Sequence, residues 1–182
     1  MSSKDKFGIE LEIPKNVVVR KEDQMISVTG KNGTISRDFH KLPAFITVKN
    51  NTMAIEPAGK RKGDLAMTNT ARSILNNMFK GVEKGFRYKL KIVFAHFPIS
   101  VKVKGREVHV ENFFGERSAR ISHIVGDRTK VTITGDDVIV EGPSLEDVSQ
   151  TAANIESSTK VKGKDQRVFL DGVYIYSRDG GD

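Results

Sequence analysis

Apolar and polar residues alternate in two stretches of the chain that lie 85 positions apart, and this predicts two β-hairpins of the same design. Residues 46–56 (ITVKNNTMAIE) and 131–141 (VTITGDDVIVE) align without a gap. Each stretch alternates, breaks at a turn pair and alternates again, so one face of each hairpin should pack on a core while the other meets water. The two turn pairs are Asn50-Asn51 and Gly135-Asp136.

Apolar residues at helical spacing follow each hairpin, so each repeat is expected to continue into an amphipathic helix. The apolar positions are Leu65, Ala71, Ile74, Leu75 and Met78 in the first helix and Leu145, Val148, Ala152 and Ile155 in the second. Ser144 is the expected cap of the second helix, because its hydroxyl can accept from free backbone N–H groups while Asp147 reaches back. Asp64 is expected to cap the first helix, and Gly81 and Gly85 to mark its end.

The repeat extends beyond the hairpins, since Pro14 corresponds to Pro98 at nearly the same spacing. We therefore predict an α+β fold of two tandem repeats, each made of antiparallel strands packed with one main helix. The N-terminal repeat spans residues 1–85 and the C-terminal repeat residues 86–182. A single domain over the whole chain is the alternative. A strand at residues 86–94 could close the first repeat or open the second.

Composition excludes several kinds of chemistry and of cellular location. The chain of 182 residues has no cysteine, which excludes disulfides, thiolate metal sites, iron–sulfur clusters and cysteine nucleophiles. Its apolar runs fall far short of the ~18 residues that a membrane span needs, and residues 1–6 do not resemble a signal peptide. We expect a cytosolic chain without membrane contact. The tails, residues 1–6 and 179–182, have nothing to bury and are expected to fray.

The charge balance favours a polyanionic partner. Lys and Arg number 30 and Asp and Glu 23, so the formal net charge is +7. The first repeat carries 15 basic and 9 acidic side chains, whereas the second carries 15 and 14. The second repeat is therefore dipolar: its acids concentrate at residues 136–147 and its cations at residues 102–130 and 160–167, so one face could meet phosphate.

The cations form clusters at expected turns and strand ends. The candidate RNA-binding residues are Lys60, Arg61, Lys62, Lys102, Lys104, Arg106, Arg117, Arg120, Lys160, Lys162, Gly163, Lys164 and Arg167. On a strand over residues 100–104, Lys102 and Lys104 project to one face and form a row that can follow a phosphate backbone. Gly163 removes a side chain, so the main chain can approach a nucleic-acid backbone closely.

No set of residues suited to catalysis is evident. Four histidines occur, and the sequence contains no His-Glu-x-x-His, Walker or Gly-x-Ser-x-Gly motif. His109 and His123 are the best pair for a metal ion, although strand and loop histidines are far more often ordinary surface residues. We therefore predict that the chain is not an enzyme, with no catalytic residue, metal or cofactor assigned.

Two further patterns bear on nucleic-acid binding. Residues 30–33 read Gly-Lys-Asn-Gly and fit the Gly-x-x-Gly loop of KH modules, but strand-like flanks instead predict a hairpin that turns at Asn32-Gly33. Aromatic residues are few, and Phe113-Phe114 is the one pair that looks exposed. A surface for stacking single-stranded bases is thus poorly supported, and recognition by shape and phosphate is the better expectation.

Two stretches near the C-terminus carry a family likeness. Residues 142–156 (GPSLEDVSQTAANIE) and 159–174 (TKVKGKDQRVFLDGVY) closely resemble the C-terminal signature of the large-subunit ribosomal protein six family, in its archaeal and eukaryotic form. Shorter matches lie at residues 13–17, 28–33, 37–39 and 112–116. The resemblance thus covers nearly the whole chain.

The resemblance implies two tandem copies of one unit and no enzymatic activity. It also implies binding to large-subunit ribosomal RNA beside the sarcin–ricin loop and near the base of the acidic stalk, where translation factors dock. In the family the C-terminal domain is the main RNA anchor, and here residues 160–167 are the contact loop. The bacterial form carries Tyr-Lys-Gly-Lys-Gly there, so Lys162, Gly163 and Lys164 are carried over, whereas Asp165 departs from that pattern.

We therefore expect a structural constituent of the large ribosomal subunit, cytoplasmic and monomeric within the ribosome. Its partners should be ribosomal RNA and neighbouring ribosomal proteins near the stalk base, and residues 86–182 should form the main RNA-binding domain. The alternative is a protein–protein adaptor that uses strand edges and the acidic face at residues 136–147. Retention on RNA that weakens with salt would separate the two hypotheses.

Overall fold

The structure is a computed structural model that describes residues 8–49, 51–95, 97–165 and 167–180. The expected fraying of residues 1–6 lies outside these ranges. The chain divides between Lys84 and Gly85 into two units. Each unit combines two antiparallel sheets with one long helix, so the predicted α+β class is confirmed.

The first unit contains six strands and one α-helix among its described residues. These are β1 (Ile9–Glu12), β2 (Val18–Glu22), β3 (Met25–Gly30), β4 (Gly33–Asp38), β5 (Ala44–Lys49), β6 (Thr52–Pro57) and α1 (Lys62–Glu83). One sheet has the strand order β1-β6-β5 and the other β2-β3-β4. Helix α1 packs on strands of both sheets, so one core lies between the helix and the two sheets.

The second unit repeats this plan with seven strands in the part that the structure describes. They are β7 (Phe86–Val93), β8 (Ser100–Lys104), β9 (Glu107–Glu111), β10 (Arg120–His123), β11 (Lys130–Thr134), β12 (Asp137–Gly142) and β13 (Gly172–Gly180), and the helix is α2 (Leu145–Ser158). One sheet has the order β10-β9-β8 and the other β11-β12-β7-β13. Because β7 pairs with β12 and β13, the strand that the sequence could not assign belongs to the second unit.

The two hairpins predicted from alternation are present with the same register. Ile46 pairs with Ile55 across β5 and β6, and Val131 pairs with Val140 across β11 and β12. Both partners in the second pair lie 85 positions after those in the first. The alternation of apolar residues therefore set the register as well as the strands, because a slip by one residue would turn the apolar side chains to solvent.

Both helices bury the predicted apolar face. Ala71, Leu75 and Met78 are buried on α1, and Val148, Ala152 and Ile155 on α2, while Leu65, Ile74 and Leu145 are half-buried at the margins. The Ser144 hydroxyl accepts from the Asp147 N–H at 3.3 Å, as predicted. Asp64 is not itself the cap residue, since α1 begins at Lys62 after the cap residue Arg61, but its Oδ2 accepts from the N–H of Arg61 at 3.1 Å.

Three local predictions need correction. Helix α1 runs through the buried Gly81 and ends at Glu83, followed by Gly85 at φ +79°. The Gly-Lys-Asn-Gly stretch joins β3 to β4 as a hairpin, as predicted, but the turn residues are Lys31-Asn32, because Gly30 and Gly33 still pair. Strand β13 includes part of the expected frayed tail, and Lys89 Nζ lies 3.4 Å from Asp179 Oδ2.

Candidate nucleic-acid interface

The connection between α2 and β13 presents three lysines to solvent. Lys160, Lys162 and Lys164 are exposed, whereas Val161 between the first two is buried in the core of the second unit. Val161 therefore anchors the connection, and the lysines beside it project outward. None of the three forms an ion pair with a described residue. Their charges remain available for an external anion.

Gly163 shapes this loop between two of the lysines. Its φ of +70° lies in the left-handed region, which side-chain-bearing residues rarely adopt. No heavy atom lies within 4 Å of the position that a Cβ would occupy. The glycine is therefore required by backbone conformation and not by crowding, and it leaves the main chain open to close approach.

Aromatic rings lie beneath the distal end of the loop. Lys164 Nζ is 5.0 Å from the ring centroid of Phe169 and 5.8 Å from that of Phe114. The Phe114 ring contacts Phe169 edge-on at 5.9 Å and Phe113 at 4.7 Å. Phe113 is buried and Phe114 half-buried, so the prediction of an exposed pair is wrong: these rings support the loop from within the unit.

Arg120 uses its charge inside the protein. Its Nε and Nη2 donate to the carboxylate of Glu116 at 2.9 and 2.6 Å, and its guanidinium lies 4.1 Å from the ring centroid of Phe113. Its Nη1 donates to the backbone oxygens of Ser158 and Lys160 at 3.0 and 3.3 Å. The hydrogen bond from Arg120 holds the pKa of Glu116 below its ordinary value. Sequence reasoning missed Glu116, because residues 116–120 do not form a helix and a four-residue spacing does not indicate contact outside one.

Lys102 and Lys104 lie on β8 as predicted and project to one face, but a carboxylate shares their charge. Lys102 Nζ donates to Glu111 Oε2 at 2.5 Å, and Lys104 Nζ lies 3.9 Å from Glu111 Oε1. The hydrogen bond from Lys102 lowers the pKa of Glu111. Nothing in the sequence pointed to Glu111, because its approach to Lys102 depends on the pairing of β8 with β9.

The cations of the second unit do not share one surface. Lys102 pairs with His109, which pairs with Ile121, so these three residues lie on one face of the β10-β9-β8 sheet. Arg120 pairs with Val110, which is buried, and therefore lies on the opposite face. The single basic face expected from the charge distribution is thus divided, and Arg120 lies with the α2–β13 loop, not with the β8 lysines.

The remaining candidate cations differ in what they contact. Arg106 Nη2 donates to the backbone oxygens of Ile124 and Gly126 at 3.0 and 2.5 Å, so it holds a neighbouring turn. Arg167 pairs with Asp165 at 3.0 Å, and its side-chain hydrogen bond lowers the pKa of that carboxyl. Arg117 is exposed before β10, and Lys60, Arg61 and Lys62 are exposed where α1 begins in the first unit.

The histidine pair suggested for a metal instead faces one carboxylate. His109 Nε2 lies 2.9 Å from Glu107 Oε2, and His123 Nδ1 lies 3.8 Å from Glu107 Oε1. Within the described ranges, no group of three or more His, Asp or Glu side chains could hold a metal ion. In the same ranges, neither α-helix has the length and apolar character needed to cross a membrane.

Some of the features proposed for a protein adaptor already have partners within the second unit. In the acidic stretch, Asp137 Oδ1 lies 3.3 Å from Lys91 Nζ, and Glu141 pairs with Arg87. Strand β13 is an edge strand, but the side chain of Thr159, just after α2, accepts from the N–H of Val173, and the side chain of Glu156 on α2 accepts from the N–H of Ile175. An incoming strand could not use these two groups, which weighs against addition at that edge.

Comparison with known proteins identifies the class to which this fold belongs. The family model described as Ribosomal protein L6 matches residues 13–85 and residues 97–172, one match in each unit. The chain is therefore built from two tandem copies of a ribosomal-protein unit.

Curated relatives match nearly the full length. The large ribosomal subunit protein uL6 of Staphylothermus marinus is 49% identical over 172 residues, 92% of either chain. The protein of that name from Aeropyrum pernix is 44% identical over 179 residues, 97% of this chain and 98% of the relative. The chain belongs to the ribosomal protein L6 family. Because the relatives are named as ribosomal proteins, the resemblance and the prediction of a chain that is not an enzyme are confirmed.

Proposed function

We propose that this chain is a structural constituent of the large ribosomal subunit that binds ribosomal RNA mainly through its second unit. The contact begins at the loop formed by residues 160–167, near the sarcin–ricin loop and the stalk base. Neighbouring ribosomal proteins there are its protein partners, and the chain is monomeric and cytoplasmic within the ribosome. Membership of the ribosomal protein L6 family supports the class of partner.

One observation carries the choice of site: three exposed lysines without ion pairs to described residues follow α2, around a glycine with open space beside its backbone. Lys160, Lys162 and Lys164 can displace counterions condensed on folded RNA, which is a favourable and salt-dependent contribution. Gly163 lets the main chain approach a phosphate closely. Because the rings under Lys164 are at least half-buried, the loop is suited to phosphate and shape and not to base stacking.

Fewer cations are proposed to contact RNA than the charge distribution alone suggests. Arg117 is exposed without an ion pair to a described residue and remains among the proposed contacts. Arg167 at the end of the loop also remains, because its side chain is 90% exposed although it pairs with Asp165. The cluster Lys60, Arg61 and Lys62 is proposed as a separate RNA contact of the first unit. Lys102 and Lys104 already interact with Glu111, so their contribution should be smaller.

The proposal is tested with the double variant Lys162→Ala/Lys164→Ala and a fragment of large-subunit RNA that contains the sarcin–ricin loop. Affinity should fall at low salt, and the slope of log affinity against log salt should flatten by about one to two units. The measurement is a filter-binding or fluorescence titration at several salt concentrations. The full chain is used throughout.

A matched control removes the same charge elsewhere in the second unit. Lys89→Ala/Lys91→Ala also replaces two lysines, but these lie on β7 beside Asp179 and Asp137. This control should keep the wild-type salt slope. Equal losses in both double variants would indicate a general charge effect and contradict the loop as the site.

A further inference from the structure

The Glu116–Arg120 pair occupies a place where a phosphate contact was expected, and its geometry indicates a different role. Arg120 donates from Nε, Nη1 and Nη2 to acceptors within the protein. The Glu116 carboxylate receives two of these bonds, and Arg120 is only 28% exposed. A phosphate at this guanidinium would have to compete with a carboxylate already in a two-point pair.

The backbone oxygens that Arg120 contacts lie where the loop leaves the helix. Ser158 is the last residue of α2, and Lys160 is the first lysine of the loop. The last carbonyls of a helix lack partners within the helix, and a cation at that end is favourable. Arg120 therefore satisfies a terminal carbonyl of α2 and also holds the first peptide of the loop, which sets the direction in which the chain leaves the helix.

The same residue is linked to the far end of the loop through the aromatic rings. Arg120 lies on Phe113, Phe113 contacts Phe114, and Phe114 contacts Phe169. Lys164 lies over the last two of these rings. One contiguous cluster thus supports both the first and the last lysine of the run.

We propose that Glu116 and Arg120 are positioning residues for the RNA-binding loop: Arg120 holds the loop backbone and Glu116 holds Arg120, and neither binds RNA. This inference rests on the proposed function of the loop. A loop held in one conformation loses less conformational entropy when it binds, so the pair raises affinity without touching the ligand.

The direction in which one substitution changes RNA affinity distinguishes a positioning role from direct contact with RNA. Glu116→Gln removes a negative charge next to the interface. If Arg120 bound phosphate, this change would free its charge and remove a repulsion, so RNA would bind more tightly. If the pair positions the loop, Arg120 is held less firmly and RNA should bind roughly three- to tenfold more weakly.

Glu111→Gln is the matched control, because it makes the same charge change on the opposite face of the β10-β9-β8 sheet. It should leave RNA affinity unchanged or raise it slightly. Arg120→Lys is the second variant, since lysine keeps the charge but lacks the planar fork that reaches Glu116 and two carbonyl groups. It should weaken RNA binding as Arg120→Ala does, whereas a simple phosphate contact would be largely retained by lysine.

Hydrogen exchange gives a readout that general destabilisation would not produce. In Glu116→Gln and Arg120→Lys, the amides of residues 160–164 should exchange faster while those of β12 keep wild-type protection. Faster exchange throughout the second unit, or tighter RNA binding by Glu116→Gln, would overturn the positioning role. If Lys162→Ala/Lys164→Ala binds RNA with wild-type affinity, the loop is not the RNA-binding site. If that double variant binds RNA more weakly but Glu116→Gln binds it more tightly, only the positioning role is rejected.

Discussion

The side-chain hydroxyl of Thr159 accepts a hydrogen bond from the backbone N–H of Val173 at 3.0 Å. Thr159 follows the last residue of α2 and is 2% exposed, and Val173 lies on the edge strand β13. Glu156 Oε1 accepts from the N–H of Ile175 in the same way. The end of the helix therefore occupies two backbone donors on the edge strand, which holds β13 to α2 and shields that edge.

Thr159→Val should destabilise the second unit. The substitution keeps the shape but removes the acceptor, so the buried N–H of Val173 loses its partner, at a cost of about 1–3 kcal/mol in the free energy of unfolding. Urea unfolding followed by circular dichroism measures this loss. Thr159→Ser retains the hydroxyl and should lose less, and equal stability of the valine variant and the wild type would contradict the assigned bond.

Gly30→Ala should destabilise the first unit through a clash with α1. An added Cβ would lie 2.8 Å from Val82 Cγ2 and 2.9 Å from the Val82 backbone oxygen. The expected loss is about 1–3 kcal/mol in the free energy of unfolding. Gly30→Ala should cost less in a Val82→Ala background than in wild type, because the contact with Cγ2 is then relieved, although Val82→Ala is itself destabilising at this buried position.

The control for this prediction is Gly63→Ala on the exposed side of α1, where a Cβ meets nothing within 4 Å. Alanine favours a helix over glycine by up to about 1 kcal/mol, so this variant should be as stable as wild type or more so. A similar loss in both alanine variants would show that the approach to Val82 is not the cause.

The Glu116–Arg120 pair should make stability depend on pH. The hydrogen bond from Arg120 lowers the pKa of Glu116 from its ordinary value of 4.5, so the pair contributes stability above that value and loses it as the pH falls through the lowered pKa. The difference in unfolding free energy between wild type and Glu116→Gln should therefore shrink on acidification. Unfolding titrations at neutral pH and near pH 3 measure it, and a constant difference would contradict the assigned cause.

Lys102→Ala/Lys104→Ala should reduce RNA affinity less than Lys162→Ala/Lys164→Ala does. Both variants lose two charges, but Glu111 already interacts with the two lysines on β8. The salt slope should therefore flatten by less than one unit. Equal flattening in the two variants would mean that the β8 face contacts RNA as closely as the loop.

The sequence predicted the exposed lysines of the candidate site but not the internal partners of its arginines. Lys160, Lys162 and Lys164 were found because the loop carries a dense charge run, and the structure leaves them exposed. Arg106 and Arg120 were grouped with them by charge alone, but both donate to backbone oxygens of segments distant along the chain. No local pattern reports such a partner, since Arg120 and Ser158 are 38 positions apart.

The sequence alone determined the elements and their repetition. Alternation over residues 46–56 and 131–141 specified two hairpins with one register, and helical spacing specified the buried faces of α1 and α2, because side-chain direction follows directly from backbone period. Only the tertiary structure decided which cations remain available. Whether a lysine faces water or a carboxylate depends on strand pairing and on loops from distant parts of the chain. This packing places Glu111 beside Lys102, whereas Lys162 has no ion-pair partner among the described residues.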